Sequence, residues 1–390
     1  MQNIQPIHHQ QFAETFGNPA QHAAIAPGRI EFIGNHTDYN GGRVIGLAVE
    51  QGILAMGRPR TDQKLLLKSL QGGACVTTDI NCREPLTGDS AWVNYPLGVI
   101  HALRDAGANI EQGFELLFDS DLPAGAGMSS SAALELATAI LIADACGFET
   151  DRETLVKIAR AAENNFVGVP CGILDQGVSA FGKKDHLVGI DCQACSFTHL
   201  PLPKDVAFWV FNTGKKHSLV DSLYSKRHAE CLQAFQILAA KHPYATCLSD
   251  LSETDIIAAA DILPAEIYKR ALHVVGENAR VDAVKTALDN GDLTTVGKCL
   301  FASHGSSRDY FENSIPELDY LVAALRETQG VFGARLTGGG FGGAVMALTH
   351  STFDAESASK IIARYQDTFD ASPTLIHTHA ADGARLVQLS

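Results

Sequence analysis

Charge is scarce in this sequence, and positive charge scarcer still. Asp, Glu, Lys and Arg make up 19% of 390 residues, and 30 basic side chains face 44 acidic ones, a formal net charge of -14. Such a surface repels phosphate backbones and anionic lipid at long range, so neither nucleic acid nor a membrane is expected as a partner. A phosphorylated small molecule is still allowed, because a few local cations and backbone N–H groups can hold it. Long apolar runs are missing too. The best candidate, residues 132–146, is too short for a span and carries Glu135 and Asp144. The opening residues 1–11 are polar, with His8 and His9, and lack a secretory pattern. The nine cysteines are odd in number and scattered. Cys192 and Cys195 form a C-x-x-C pair with no second pair at zinc-ligand spacing, which argues against a metal or redox framework. A reducing cytoplasm is the expected compartment. No internal repeat and no low-complexity tract interrupts the chain.

Apolar residues are abundant, at 46%, enough for two domains with real cores. Glycine is abundant as well, and clusters in three segments, residues 28–46, 125–131 and 333–343. Residues 52–56, 65–69 and 114–118 read as strands. Residues 129–147 read as a helix that opens with capping serines, ends at Gly147 and is apolar all round, hence buried. Residues 152–164 read as a helix whose face is Leu155, Ile158, Ala159 and Ala162. A strand at 208–211 and a helix from about Leu219 to 240 follow Pro201 and Pro203, which mark a linker. The chain is then mostly helical until 330, and 333–348 reads as strand, glycine turn and apolar segment. Two α+β domains are expected, 1–203 and 204–390.

Residues 122–131, Leu-Pro-Ala-Gly-Ala-Gly-Met-Ser-Ser-Ser, precede the buried helix. Glycines allow close backbone approach, and a helix start offers unpaired N–H groups, so the segment suits a triphosphate. It lacks the Lys-Ser/Thr of a P-loop and the third glycine of a dinucleotide fingerprint. A serine-capped helix after a tight turn fits the same residues. Glu163 lies on the apolar face of its helix and needs a partner, a magnesium ion or a basic side chain. Asp175 sits in the apolar, glycine-flanked run 170–177, as a proton acceptor or as a helix cap. Residues 26–42 read as a turn-rich stretch crowded with hydrogen-bonding side chains, suited to a sugar or to a polar surface loop.

Together these segments resemble the galactokinases, of the small-molecule kinase superfamily that includes homoserine, mevalonate and phosphomevalonate kinases. Residues 28–42 resemble the signature written in that family as G-R-V-N-L-I-G-E-H-T-D-Y-N-G-G, and the loops at 125–131 and 333–343 resemble superfamily motifs. Trp92-Val93-Asn94-Tyr95, Cys171 to Gln176, Asn212-Thr213-Gly214 and Ser314 to Asp319 extend the likeness.

The resemblance implies an S5-like N-terminal domain and a ferredoxin-like C-terminal domain with the active site between them. It implies ATP-dependent phosphorylation of the C1 hydroxyl of galactose by a monomer. Asp175 then takes the catalytic aspartate's place and Arg29 the neighbouring arginine's. Ser131 and Glu163 match magnesium ligands. Gly125, Ala126, Gly127, Met128, Ser129, Ser130 and Ser131 would wrap the triphosphate, with Ser69 and Trp92 near the nucleotide. Asn35, His36, Thr37, Asp38, Gly172 and Tyr224 match sugar-side positions. The chain departs from the family at Asn35, where the signature has Glu. That keeps L-arabinose, a uronic acid or N-acetylgalactosamine open as substrates, the acidic sugar being one that Arg43 would favour. A catalytically dead sensor is opposed by the retention of Asp175, Arg29, Ser131 and Glu163.

Overall fold

The computed structural model describes residues 4–123, 125–216 and 220–389. Ala124 of the glycine–serine loop, and the expected helix start at Leu219, lie outside them. The strands are β1 (His22–Ile33), β2 (Arg43–Pro59), β3 (Lys64–Ser69), β4 (Val76–Asp79), β5 (Phe114–Ser120), β6 (His186–Asp191), β7 (Ser196–Pro201), β8 (Val206–Lys216), β9 (Val331–Thr337), β10 (Gly342–His350), β11 (Thr374–Thr378) and β12 (Arg385–Leu386). The helices are α1 (Pro6–Phe16), α2 (Asn94–Asp105), α3 (Ser130–Cys146), α4 (Arg152–Ala161), α5 (Leu174–Phe181), α6 (Val220–Ala239), α7 (Glu253–Ala258), α8 (Ala265–Asp289), α9 (Leu293–Ser306), α10 (Pro316–Arg326) and α11 (Ala355–Phe369). Among the described residues no helix is long and apolar enough to cross a membrane.

The first sheet runs β12-β1-β2-β5-β3-β4, with β6 and β7 branching from β2. Its pairs are antiparallel except β3 with β5. The second sheet is four-stranded and antiparallel, in the order β11-β8-β10-β9. The path β8, helices, β9, β10, α11, β11 is the ferredoxin-like arrangement, so the α+β expectation holds.

Helix α3 is apolar all round because it is enclosed. Ala133, Leu136, Ala137 and Ile142 pack with Leu97 and Ile100 of α2 and Leu116 of β5. A second core ties the two sheets together. Ile30 and Phe32 of β1 meet Phe208 and Val210 of β8, Met346 and Leu348 of β10, and Val281 and Val284 of α8. Each such burial contributes about 1.5–3 kcal/mol, and the shared core holds the faces that bear the site in one relative position.

Residues 26–33 are a correction. Composition predicts a turn-rich stretch there, whereas these are the last eight residues of β1, which is buried from Ala23 to Ile33. Pro27 and Gly28 hid the strand, and they coincide with an irregularity in its pairing with β2 between Pro27 and Arg29. Only the segment from Gly34 onward turns. Helix α4 also stops early. Its last turn widens into a π-helical turn, Ala162–Val167, that carries Glu163.

Candidate active site

The cavity of interest, about 400 Å³, opens beside β1 and is closed by the starts of α5 and α6 and by the third glycine motif. β1 enters it with Arg29 and Glu31, alternate residues that share a face of the strand. Gly28 lets the glycine–serine loop lie directly on this strand. A Cβ there would fall 2.4 Å from Leu122 Cδ2 and 2.7 Å from the Met128 carbonyl. The Arg29 backbone N–H donates to that same carbonyl at 3.0 Å.

Arg29 is 6% exposed. It donates through Nε (2.8 Å) and Nη2 (2.5 Å) to Asp175 Oδ1, and through Nη1 to the Gly127 carbonyl at 2.6 Å. Burial works against its charge, and Asp175 more than offsets this, so its pKa rises. The other Asp175 oxygen accepts a short bond from the Ser129 hydroxyl. Asp175 is the second residue of α5, whose cap position is Ile173, so it does not act as a helix cap. Ser129 likewise makes no side-chain cap on α3, and its own backbone is left-handed, φ 51°. The serine hydroxyl is spent on the aspartate, and the helix start keeps its N–H groups.

On the opposite wall, His36 Nε2–H donates to the Gly339 carbonyl (3.0 Å) while Nδ1 accepts from the Tyr39 hydroxyl (2.9 Å). Its ring stacks on Phe311 at 4.3 Å and lies 5.2 Å from Tyr224. Burial lowers its pKa to about 3, so this histidine is neutral. Asp38 and Gly172 are locked together, since a Cβ on Gly172 would lie 1.8 Å from Asp38 Oδ2. Burial, then the charges of Asp175 and Glu31, raise Asp38 to about 6. Tyr224, on α6, faces the same cavity. Asn35 reaches the wall but is 1% exposed and held on every side by protein. Thr37 is outside the cavity. Its hydroxyl lies 2.8 Å from the carbonyls of both Gly34 and Arg43, shares its one hydrogen between them and staples the turn. Arg43 is also outside, in an exposed ion pair with Asp282 at 3.0 Å.

Glu163 lines the cavity and is hydrogen-bonded by the Ser131 hydroxyl, by the Cys171 thiol at 3.4 Å and by Gln176 Nε2 at 2.6 Å. Burial, then Asp175, raises its pKa, and these donors pull it back. Gln176 Nε2 also donates to Glu135 Oε2 at 3.1 Å. Burial and Glu163 hold Glu135 well above the usual carboxyl range. Two buried oxygens here, Glu135 Oε1 and Gln176 Oε1, have no hydrogen-bond partner. The described residues hold no cluster of three or more His, Cys, Asp or Glu able to bind a metal unaided. One hydroxyl and one carboxylate fit magnesium that brings its other oxygen ligands with it, as phosphates and water. Of the remaining loop residues, Ala126 and Met128 are buried in the core between the sheets, whereas Gly125, Gly127 and Ser130 are exposed. Ser69 and Trp92 lie elsewhere. Ser69 is paired in register with Phe118, and Trp92 stands edge-on to that ring at 5.8 Å; neither lines the cavity around Asp175.

Glu31, Gln176, Gly338 and Gly339 were not singled out from sequence. The last two supply carbonyls to Asn35 and His36. Glu31 carried a legible signal, an acid in a run of apolar residues.

Comparison with known proteins agrees with this geometry. Residues 10–59 match the galactokinase galactose-binding signature, 94–183 the GHMP kinases N terminal domain and 284–371 the GHMP kinases C terminal region. Galactokinase of Roseiflexus sp. (strain RS-1) is 36% identical over 376 residues, 96% of this chain and 95% of that one. Human galactokinase is 35% identical over 386 residues, covering 97% and 95%. The crystal structure of Lactococcus lactis galactokinase complexed with galactose superposes with a TM-score of 0.92 at 32% identity, covering 97% of this chain and 98% of that one. Methanococcus jannaschii mevalonate kinase, at 16% identity, 93% and 99% coverage and a TM-score of 0.62, shares the fold. With near-complete coverage at such identity, the chain belongs to the galactokinase family.

Proposed function

We propose that this protein phosphorylates the C1 hydroxyl of galactose with ATP as donor. The observation that carries the reading is the grip of Arg29 and Ser129 on Asp175, between the glycine–serine loop and the wall of His36, Asp38 and Tyr224. The sugar lies against that wall, and the triphosphate on the loop and the N–H groups of α3. Asp175 orients the attacking hydroxyl and takes its proton, while Arg29 offsets charge developing on the phosphoryl group. Such reactions run on positioning and electrostatics. Ser131 and Glu163 are the residues that would hold magnesium, which when bound neutralises phosphate charge.

Ser69 and Trp92 are assigned to the adenine side, beyond the cavity. The division near residue 203 is supported by the sheets, since the second begins at Val206 and, among the described strands after it, only β12 joins the first, beside a single bridge from Ala380 to Val49. A monomer in a reducing cytoplasm completes the reading, consistent with nine free cysteines. ADP release measured across about a dozen sugars tests it, with galactose expected to give the highest kcat/KM. A preparation that turns over another sugar and leaves galactose untouched refutes it.

A further inference from the structure

Asn35 stands where the galactokinase signature has glutamate, and Glu31 stands where the same signature has asparagine. The two side chains touch: Asn35 Nδ2–H donates to Glu31 Oε1 at 3.0 Å and Oε2 at 3.3 Å. The wall therefore keeps one carboxylate and one amide, with their positions exchanged.

The exchange decides which of the two can meet a ligand. An amide offers two N–H donors and two lone pairs on its oxygen. Asn35 spends its donors on Glu31 and on the Gly338 carbonyl at 2.9 Å, and its oxygen accepts from Asn313 Nδ2 at 2.9 Å and Ser307 Oγ at 3.2 Å. It has no capacity left for a substrate. An ionised carboxylate has about four acceptor positions. Glu31 uses Oε1 for Asn35 and for an ion pair with Arg335 at 3.0 Å, while among the described residues Oε2 takes the longer branch from Asn35 alone.

Position agrees with capacity. Arg29 and Glu31 keep unbroken register with Ala48 and Gly46 of β2, so they stand about 6.6 Å apart on one face of the strand. Arg29 holds Asp175, the end of the cavity where the anomeric oxygen must sit. A pyranose laid along β1 from that end brings its exocyclic carbon toward Glu31.

Resting on the galactose reading above, we propose that Glu31 recognises the hydroxyl on the sugar's exocyclic carbon, with Asn35 as the positioning residue that orients it. A neutral hydroxyl donates to this carboxylate, and a uronic acid is repelled by it.

Steady-state kinetics of the full chain with galactose and 6-deoxygalactose test this, alongside thermal melts of each variant. Glu31→Gln should raise the galactose KM by about 10- to 100-fold, the range lost with a charge-assisted hydrogen bond, with kcat within about threefold. Its KM for 6-deoxygalactose should move by less than about threefold. The exchanged double variant, Glu31→Asn with Asn35→Glu, should regain preference for galactose. Equal losses on both sugars, or no loss on either, overturns the proposal. Should Glu31→Gln fail to melt cooperatively with Arg335 left unpaired, Glu31→Asp keeps the charge and retracts the carboxylate. It should raise only the galactose KM, and an unchanged or sugar-independent KM overturns the proposal. Wild-type protein that releases no ADP with galactose sinks the functional reading itself, whereas active wild type with sugar-blind Glu31 variants sinks only the assignment of Glu31.

Discussion

Asp175 with Arg29 and Glu31 with Arg335 are two acid–arginine pairs in the wall of one cavity. In the first, the Asp175 side chain is 24% exposed and the Arg29 side chain 7%. In the second the figures are 4% and 0%. The first acid looks out between the glycine–serine loop and the wall of His36, Asp38 and Tyr224, and among the described residues its second oxygen accepts from the Ser129 hydroxyl. The second is pinned by an amide and by a buried arginine that also donates to the Glu31 carbonyl at 3.3 Å. On the reading proposed above, the same pair of residue types serves transfer where the acid stands open, and substrate recognition where the acid is almost enclosed and one oxygen keeps acceptor capacity.

The widest gap between the pairs should appear on neutralising the exposed acid. Asp175→Asn is expected to lower kcat by about 10³–10⁴-fold, the upper range for a positioned proton acceptor, while ATP affinity measured by calorimetry stays within about threefold. Near-normal turnover would erase the distinction. The enclosed pair should fail differently. Arg335→Ala leaves the Glu31 charge buried and is expected to cost about 3–5 kcal/mol of stability in a denaturant titration, a loss that Arg29→Ala should not match.

Smaller effects refine the sugar side. Gly172→Ala drives a methyl into the Asp38 carboxylate and should raise the sugar KM by about tenfold or more, leaving the ATP KM alone. Asp38→Asn should weaken sugar binding yet raise Tm by a few degrees at pH 8. Asp38 titrates near 6 in the folded protein, above an ordinary value of about 3.9. Its ionisation therefore opposes folding, with the cost growing from about pH 4 to 6 and fully present above that. The stabilisation should vanish at pH 4, and a Tm gain there as large as at pH 8 would show that charge is not its cause.

Much of this was legible in the chain. The all-apolar helix α3, the strands β3 and β5, and the glycine–serine loop before α3 stand close to where period, caps and composition put them. So do Arg29, Asp175, His36 and Asp38 as members of one site. Residues 26–33 escaped because proline and glycine mark turns in most contexts, and here mark an irregular strand laid under a loop. Thr37 shares the signature but faces away, since its hydroxyl is used within the turn. Capping by Ser129 and Asp175 was a reasonable local expectation. It failed because the two side chains found each other across 46 residues of sequence.

Apolar content and three glycine segments set by themselves the class of protein and the family to which it belongs, because local composition and motif order suffice for that. Which acid stands open to the cavity and which is almost enclosed was decided only when β1, α5 and the third glycine motif closed on one another. Exposure and hydrogen-bond capacity depend on partners hundreds of residues away, and no local pattern in Glu31 or Asn35 carries them.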